Sequence, residues 1–175
     1  MWGHEVMEFV PDIVTMGKPM GNGYPIAALV SKSELLDQFR AKNFYFNTFA
    51  GAQVAAAAAN AVLEVFERDK LLENAVRVGD FIRDGLRKLS HKHSLIGDVR
   101  GVGLWVGFEM VEDLESKKPA TLLTKKLIND LKNEGILVSS MGPFDNVLKI
   151  RPPLIFDLDN AQMLLEKTDY CLQKL

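Results

Sequence analysis

Cysteine is nearly missing from this chain: Cys171 is the single one in 175 residues. No internal disulfide is possible, and a reducing compartment such as the cytoplasm is the expected setting. An excess of charge of one sign is missing too. Lys and Arg total 21 against 23 Asp and Glu, a net charge of −2. That balance gives no electrostatic case for nucleic acid or an anionic membrane surface. No uncharged apolar run reaches the ~20 residues of a membrane-spanning helix. The alanine-rich stretch at residues 50–61 is short and carries Gln53 and Asn60. The opening Met1-Trp2-Gly3-His4-Glu5 lacks the basic start and apolar stretch of a secretory signal. Internal repeats and low-complexity linkers are absent as well. What remains, 47% hydrophobic and 25% charged, suits one medium globular domain or two small ones.

The pattern along the chain mixes strands and helices. A β-branched run, Ile13-Val14-Thr15, predicts a buried strand over residues 11–16, and a second strand is expected at 26–30. Ser31-Lys32-Ser33-Glu34 has the look of a helix start, with Leu35, Leu36 and Phe39 on one face. Residues 43–49 are an aromatic-rich loop or short strand. A helix is expected over 50–66, where five consecutive alanines (55–59) allow close packing. Leu71, Ala75, Val78, Ile82, Leu86 and Leu89 stripe a second long helix over 70–90.

Beyond residue 91 the character changes. Residues 96–100, 104–110, 136–139 and 147–150 read as strands. Leu123, Leu127, Ile128 and Leu131 stripe a helix that Gly135 ends. Asp157 is placed to cap a last helix striped by Ala161, Leu164, Leu165, Thr168, Leu172 and Leu175. The expected division is therefore 1–90 and 91–175, the second part being an α+β unit of its own.

Chemistry concentrates first at Lys18. It follows the strand run and opens a Gly/Pro/Asn-rich turn, Gly17-Lys18-Pro19-Met20-Gly21-Asn22-Gly23-Tyr24-Pro25. A lysine at the mouth of a buried strand is costly unless it has a partner or a task. One task is nucleophilic: a desolvated lysine loses its proton more easily, and the neutral amine attacks an aldehyde. The bland reading is a solvated lysine in a turn.

The stretch from Pro11 to Pro25 resembles the lysine motif of the class III aminotransferases, pyridoxal-phosphate enzymes of fold type I. The similarity runs on through the whole chain. It implies an α/β fold made of the C-terminal part of such an enzyme, the end of the large cofactor domain followed by an α+β small domain. It implies Lys18 as the Schiff-base lysine and as the base that moves the substrate Cα proton. Phe46-Asn47-Thr48-Phe49-Ala50-Gly51 is similar to the family segment whose threonine holds the cofactor phosphate across a dimer interface, which implies Thr48 as a cofactor ligand and a homodimer. Read by itself, Thr48 is a plain cap for the helix after it.

In Val147-Leu148-Lys149-Ile150-Arg151-Pro152-Pro153, Lys149 stands where the resemblance places an arginine that grips a substrate carboxylate, and Arg151 lies immediately before Pro152, so either or both are candidates to bind an anion. Strand alternation puts both on one face. A lysine is a point charge and an arginine a fork, so the pair also suits a phosphate. This segment looks more like the subgroup near alanine–glyoxylate aminotransferase 2 and the phospho-lyases. The alternative for both cations is solvation on an edge strand.

The implied reaction moves an amino group from an amine or amino acid to a 2-oxo acid. The rivals are a phospho-lyase on the same scaffold, and a truncated, non-catalytic dimerisation fragment. The family's pyridine-nitrogen aspartate, phosphate loop and stacking aromatic have no counterpart in this chain. The isolated chain is therefore expected to be inactive or only feebly active, to expose sheet edges and apolar faces, and to self-associate or need a partner.

Four further features carry no chemistry. Gly101-Val102-Gly103-Leu104-Trp105-Val106-Gly107 has the wrong spacing for a dinucleotide fingerprint and precedes a strand rather than a helix. His91 and His93 lie in a polar loop with no visible cluster of metal ligands. Cys171 belongs to the core side of the last helix. Asp145 and Glu109 have no partner visible in the sequence.

Overall fold

The computed structural model describes residues 2–175. The chain divides into two compact units, one ending at Lys70 and one running from Leu71 to Leu175.

The first unit holds a short helix α1 (Gly3–Val6), strand β1 (Ile13–Met16), a 3-10 turn (Lys18–Gly21), strand β2 (Ala28–Ser31), and helices α2 (Ser33–Lys42) and α3 (Gln53–Arg68). β1 and β2 form an antiparallel ribbon in which Ile13 faces Ser31 and Met16 faces Ala28. The expected burial of β1 is not found. Ile13 and Thr15 are exposed, and Val14 and Met16 are half-buried. A two-stranded ribbon has too little neighbouring structure to cover both of its faces. The apolar stripe of α2 is also largely open, with Leu35 and Phe39 exposed. Ala55 and Ala59 are the buried positions of α3, small side chains that let its backbone come close to the 3-10 turn.

The second unit is a four-stranded antiparallel sheet with helices on one face. Its strands are β3 (Ile96–Val102), β4 (Trp105–Met110), β5 (Ser139–Met141) and β6 (Val147–Ile150), in the order β3-β4-β6-β5. Helices α4 (Leu71–Ser90), α5 (Thr121–Asn133) and α6 (Leu158–Leu172) complete it. The α4 stripe packs as its spacing predicts: Val78, Ile82 and Leu86 are fully buried. They join Val106, Phe108, Met110, Leu148 and Ile150 from the sheet, and Leu127, Leu131, Ala161 and Leu164 from the other helices, in one core. This packing explains why the unit begins at Leu71 rather than at residue 91. An amphipathic helix belongs with the sheet that buries its stripe.

Alternation leaves the opposite sheet face open. Asp98, Arg100 and Val102 of β3 pair with Glu109, Gly107 and Trp105 of β4. The Arg100 guanidinium bonds the Asp98 carboxylate at 2.5 Å and the Glu109 carboxylate at 2.9 Å. Glu109 therefore has a partner that sequence did not reveal.

The glycine-rich motif is a hairpin. Val102 pairs with Trp105 across the two-residue turn Gly103-Leu104, and Gly103 takes a φ of 52°, as a tight hairpin turn of the required twist demands. Helix α4 passes so close to this turn that any Cβ at Gly79 would overlap the Gly103 carbonyl oxygen. Arg83 donates from Nη1 to that same oxygen at 2.9 Å.

Local chemistry sets the helix ends. Asp157 accepts from the Asn160 amide at 2.8 Å and caps α6. This bond holds the Asp157 carboxyl below its usual range. Gly135, with φ 84°, follows α5 as a left-handed stop. Several expected boundaries shift. β1 and β2 each start two residues later than expected. β5 occupies residues 139–141, and 136–138 form no strand. α3 begins at Gln53 rather than 50, because Asn47–Ala52 is folded into successive turns.

Candidate active site

Strand β1 delivers the chain to Gly17, which is fully extended (φ −162°, ψ −159°). Lys18 then adopts φ 40°, in the left-handed region. That conformation costs a residue with a Cβ ~1–2 kcal/mol and is typical of functional turns. Pro19 fixes the next φ and starts the 3-10 turn, closed by the Asn22 amide on the Pro19 carbonyl at 3.0 Å. Gly21 is buried beneath Ile26, with no room for a Cβ.

The turn holds Lys18 outward. The side chain is exposed and, among the described residues, makes no hydrogen bond or ion pair. The lysine is therefore not desolvated within this unit, contrary to the expectation of a buried strand mouth. Its two neighbours, Gly17 and Pro19, line an apolar cavity of about 530 Å³ with Trp2, Met16 and Met20. Ala59, Val62, Leu63 and Phe66 of α3 form the other wall. No acidic side chain lines it.

Thr48 lies in the turns ahead of α3 and is not its cap. The helix starts at Gln53, and the capping position is Ala52, which has no side-chain acceptor. The Thr48 hydroxyl is exposed and has no partner among the described residues. Asn47 organises the turn instead, accepting from the Phe49 amide at 2.9 Å through its side chain and from the Ala50 amide at 3.1 Å through its carbonyl. The uncapped first turn of α3 and the free hydroxyl are both donors suited to an anion.

In the second unit, Lys149 lies on the open face of the sheet between Gly107 of β4 and Ser139 of β5. β6 is thus an interior strand, not an edge. Arg151 follows the end of the ladder at Ile150, so alternation no longer ties it to Lys149. It lines a cavity of about 260 Å³ with Gly135, Leu137, Pro152, Pro153 and Phe156, a cavity that Lys149 does not reach. Neither cation has an ion-pair partner among the described residues. Lys18 and Thr48 fall in one unit, and Lys149 and Arg151 in the other.

Sequence reasoning missed one pair. His93 Nε2 lies 2.5 Å from an Asp169 oxygen, and both side chains are largely buried. The His93 contact holds the Asp169 carboxyl below its usual range, helped by Lys92. The partners are 76 residues apart, a separation for which one sequence carries no signal. No group of His, Cys, Asp and Glu among the described residues is arranged to hold a metal ion. Burial pushes the Cys171 thiol up, as befits a core residue.

The chain thus combines helices and sheets with an exposed lysine held in a left-handed turn after a strand. The chain belongs to the class III aminotransferases, whose family model matches residues 1–172. It is 45% identical over 174 residues to the mitochondrial alanine–glyoxylate aminotransferase 2 homolog 2 of Arabidopsis thaliana, covering 99% of this chain and 36% of that protein. It is 43% identical to ethanolamine-phosphate phospho-lyase homolog 1 of Caenorhabditis elegans, covering 98% of this chain and 37% of the relative. Among solved structures, a phospholyase from Arthrobacter in complex with phosphoethanolamine superposes with a TM-score of 0.95 at 45% identity, covering 100% of this chain and 42% of its own. The chain thus spans little more than a third of the curated relatives' length and corresponds to their C-terminal part. The family's cofactor is pyridoxal 5′-phosphate. No helix among the described residues is long and apolar enough to cross a membrane.

Proposed function

We propose that this chain is the C-terminal part of an enzyme that transfers an amino group from an amine or amino acid to a 2-oxo acid, with Lys18 as its catalytic lysine. The observation that carries this reading is Lys18 itself: unpaired, exposed, and held at φ 40° between an extended glycine and a proline. The residues present fit part of the cofactor. Lys18 Nζ would hold its carbonyl carbon, and the Thr48 hydroxyl would hold its phosphate. Pyridoxal phosphate, when bound, supplies an electron sink that acidifies the substrate Cα–H. Lys18 Nζ would then take that proton and return it, a general base tethered within reach. Residues up to Lys70 would close the cofactor domain, and the unit from Leu71 to Leu175 would form the small domain.

The loop that carries Thr48 favours a homodimer. Phe44 and Phe49 are 94% and 83% exposed, and Tyr45 and Phe46 are exposed between them. An aromatic cluster of this kind needs cover. A second copy supplies it while bringing Thr48 to a neighbouring site. A reducing compartment suits the single buried cysteine.

A second reading, elimination of phosphate from a phosphorylated amine, is favoured by two unpaired cations, Lys149 and Arg151, and by likeness to a phospholyase bound to phosphoethanolamine. On either reading the proton step belongs to Lys18. A carboxylate substrate would engage the Arg151 fork, and a phosphate would engage either cation.

The test is cofactor capture. The chain joined to its upstream segment is mixed with pyridoxal phosphate, reduced with borohydride and mapped by mass spectrometry beside Lys18→Ala. Selective label at Lys18 is expected. Label spread equally over surface lysines, or unchanged in Lys18→Ala, overturns the reading. Phosphate release against 2-oxo-acid-dependent amino transfer, measured on the chain joined to its upstream segment, separates the two activities.

A further inference from the structure

Asp98 and Arg100 of β3, Glu109 of β4 and Lys149 of β6 are the charged strand residues on the open face of the second unit's sheet. Two acids and two cations could pair one to one. Instead the Arg100 guanidinium takes both acids through Nη1, Asp98 at 2.5 Å and Glu109 at 2.9 Å. Lys149 is left with no ion-pair partner among the described residues.

Glu109 stands within range of either cation. Arg100 and Lys149 pair with Gly107 from opposite sides of β4, so Glu109, two residues on, is a diagonal neighbour of each. Diagonal neighbours lie about 7–8 Å apart, within reach of long side chains. Gly107 puts no side chain between them. A third contact fixes the outcome. Asn146, 2% exposed, donates from its side-chain amide to Glu109 Oε1 at 3.3 Å and to the Met110 carbonyl at 2.9 Å. Glu109 Oε1 therefore meets Asn146, and Oε2 meets Arg100. A guanidinium carries five donors in a rigid plane and can serve two carboxylates, whereas an ammonium is a flexible point charge.

We propose that Arg100 is a positioning residue for Lys149: by holding Glu109, with help from Asn146, it keeps that carboxylate off the Lys149 ammonium and leaves the ammonium open to the anionic end of a substrate. This deepens the reading of Lys149 as a substrate-binding cation, on which it rests. Without Arg100, Glu109 would turn to Lys149 and compete with the substrate anion.

The first arm of the test uses the 175-residue chain and needs neither cofactor nor substrate. Trace acetic anhydride labels neutral amines, and mass spectrometry reads Lys149 against the exposed Lys125. An ion pair favours the charged, unreactive amine, so Arg100→Gln should slow labelling at Lys149 about threefold or more. Adding Glu109→Gln should restore it. Asp98→Asn, which leaves the Glu109 contact in place, should not change it. The second arm is kinetic, on the chain joined to its upstream segment, with whichever of phosphoethanolamine and an amino acid it turns over. Arg100→Gln should raise KM about threefold or more with kcat near the parent value, and the double variant should restore KM. Damage to the sheet would not be reversed by Glu109→Gln. The Arg100 and Glu109 side chains are 52% and 33% exposed, and far-UV circular dichroism shows that each variant is folded. Unchanged labelling in Arg100→Gln, or a loss that Glu109→Gln does not reverse, overturns the proposal. If labelling responds while Lys149→Ala leaves KM unchanged, only the substrate-binding reading falls. If Lys149→Ala raises KM while Arg100→Gln changes neither readout, only the proposal falls.

Discussion

Gly79 and Gly85 lie on the same helix, α4, and the same substitution to alanine should act differently at each. Helix propensity alone favours alanine by about 1 kcal/mol at both. At Gly79 the new methyl would overlap the Gly103 carbonyl oxygen, with the Gly103 Cα only 3.0 Å away. That obstacle is backbone in a two-residue hairpin turn, and it cannot rotate aside. Displacing it also strains the Arg83 bond to the same oxygen. Overpacking against backbone costs about 3 kcal/mol, so the net loss is about 2 kcal/mol, or roughly 8–16 °C in the melting of a unit this size. At Gly85 the methyl would meet the terminal methyls of Leu165, and a leucine can change rotamer. The cost is then about 1–2 kcal/mol, largely offset by propensity. Differential scanning calorimetry of Gly79→Ala and Gly85→Ala reads both. Gly79→Ala melting at or above the parent, or no lower than Gly85→Ala, would refute the packing argument.

Three other outcomes follow from particular contacts. Lys18→Gly should make the first unit about 0.5–1 kcal/mol more stable than Lys18→Ala, because only glycine adopts φ 40° without strain; amide exchange over residues 17–24 measures it, and equal protection would count against strain. Asp169→Asn should cost the second unit about 1 kcal/mol near neutral pH by weakening the His93 contact. The folded-state carboxyl is held low, so this contribution is fully present above the unfolded-state value and fades as pH falls through the folded one; a gap between parent and variant that persists at the acid end would contradict the assignment. In the chain joined to its upstream segment, Lys149→Ala or Arg151→Ala should raise the KM for a phosphorylated amine about tenfold or more with little change in kcat, and unchanged kinetics in both would remove the anion-binding role.

The second unit was largely legible from sequence. Its helices carry clean stripes, β6 is bounded as expected, and Asp157 and Gly135 act at the helix ends where their chemistry places them. The first unit was less legible. Its strands read as buried because their side chains are apolar, yet the ribbon lies open. The composition of a strand records the environment it is suited to, not whether the covering layer is present. Thr48 read as a cap because it precedes a helix, but turns built on Asn47 delay that helix to Gln53.

Local spacing and composition were enough to determine the helices of the second unit, the mixed α/β character and the lysine turn, because these depend on neighbours a few residues away. The tertiary structure alone decided which sheet buries α4, which face of that sheet stays open, and that β6 is interior. It also decided that His93 meets Asp169, and that Lys149 and Arg151 face different surroundings. Each of these depends on residues far apart in the chain meeting in space, and a single sequence holds no periodicity that records such meetings.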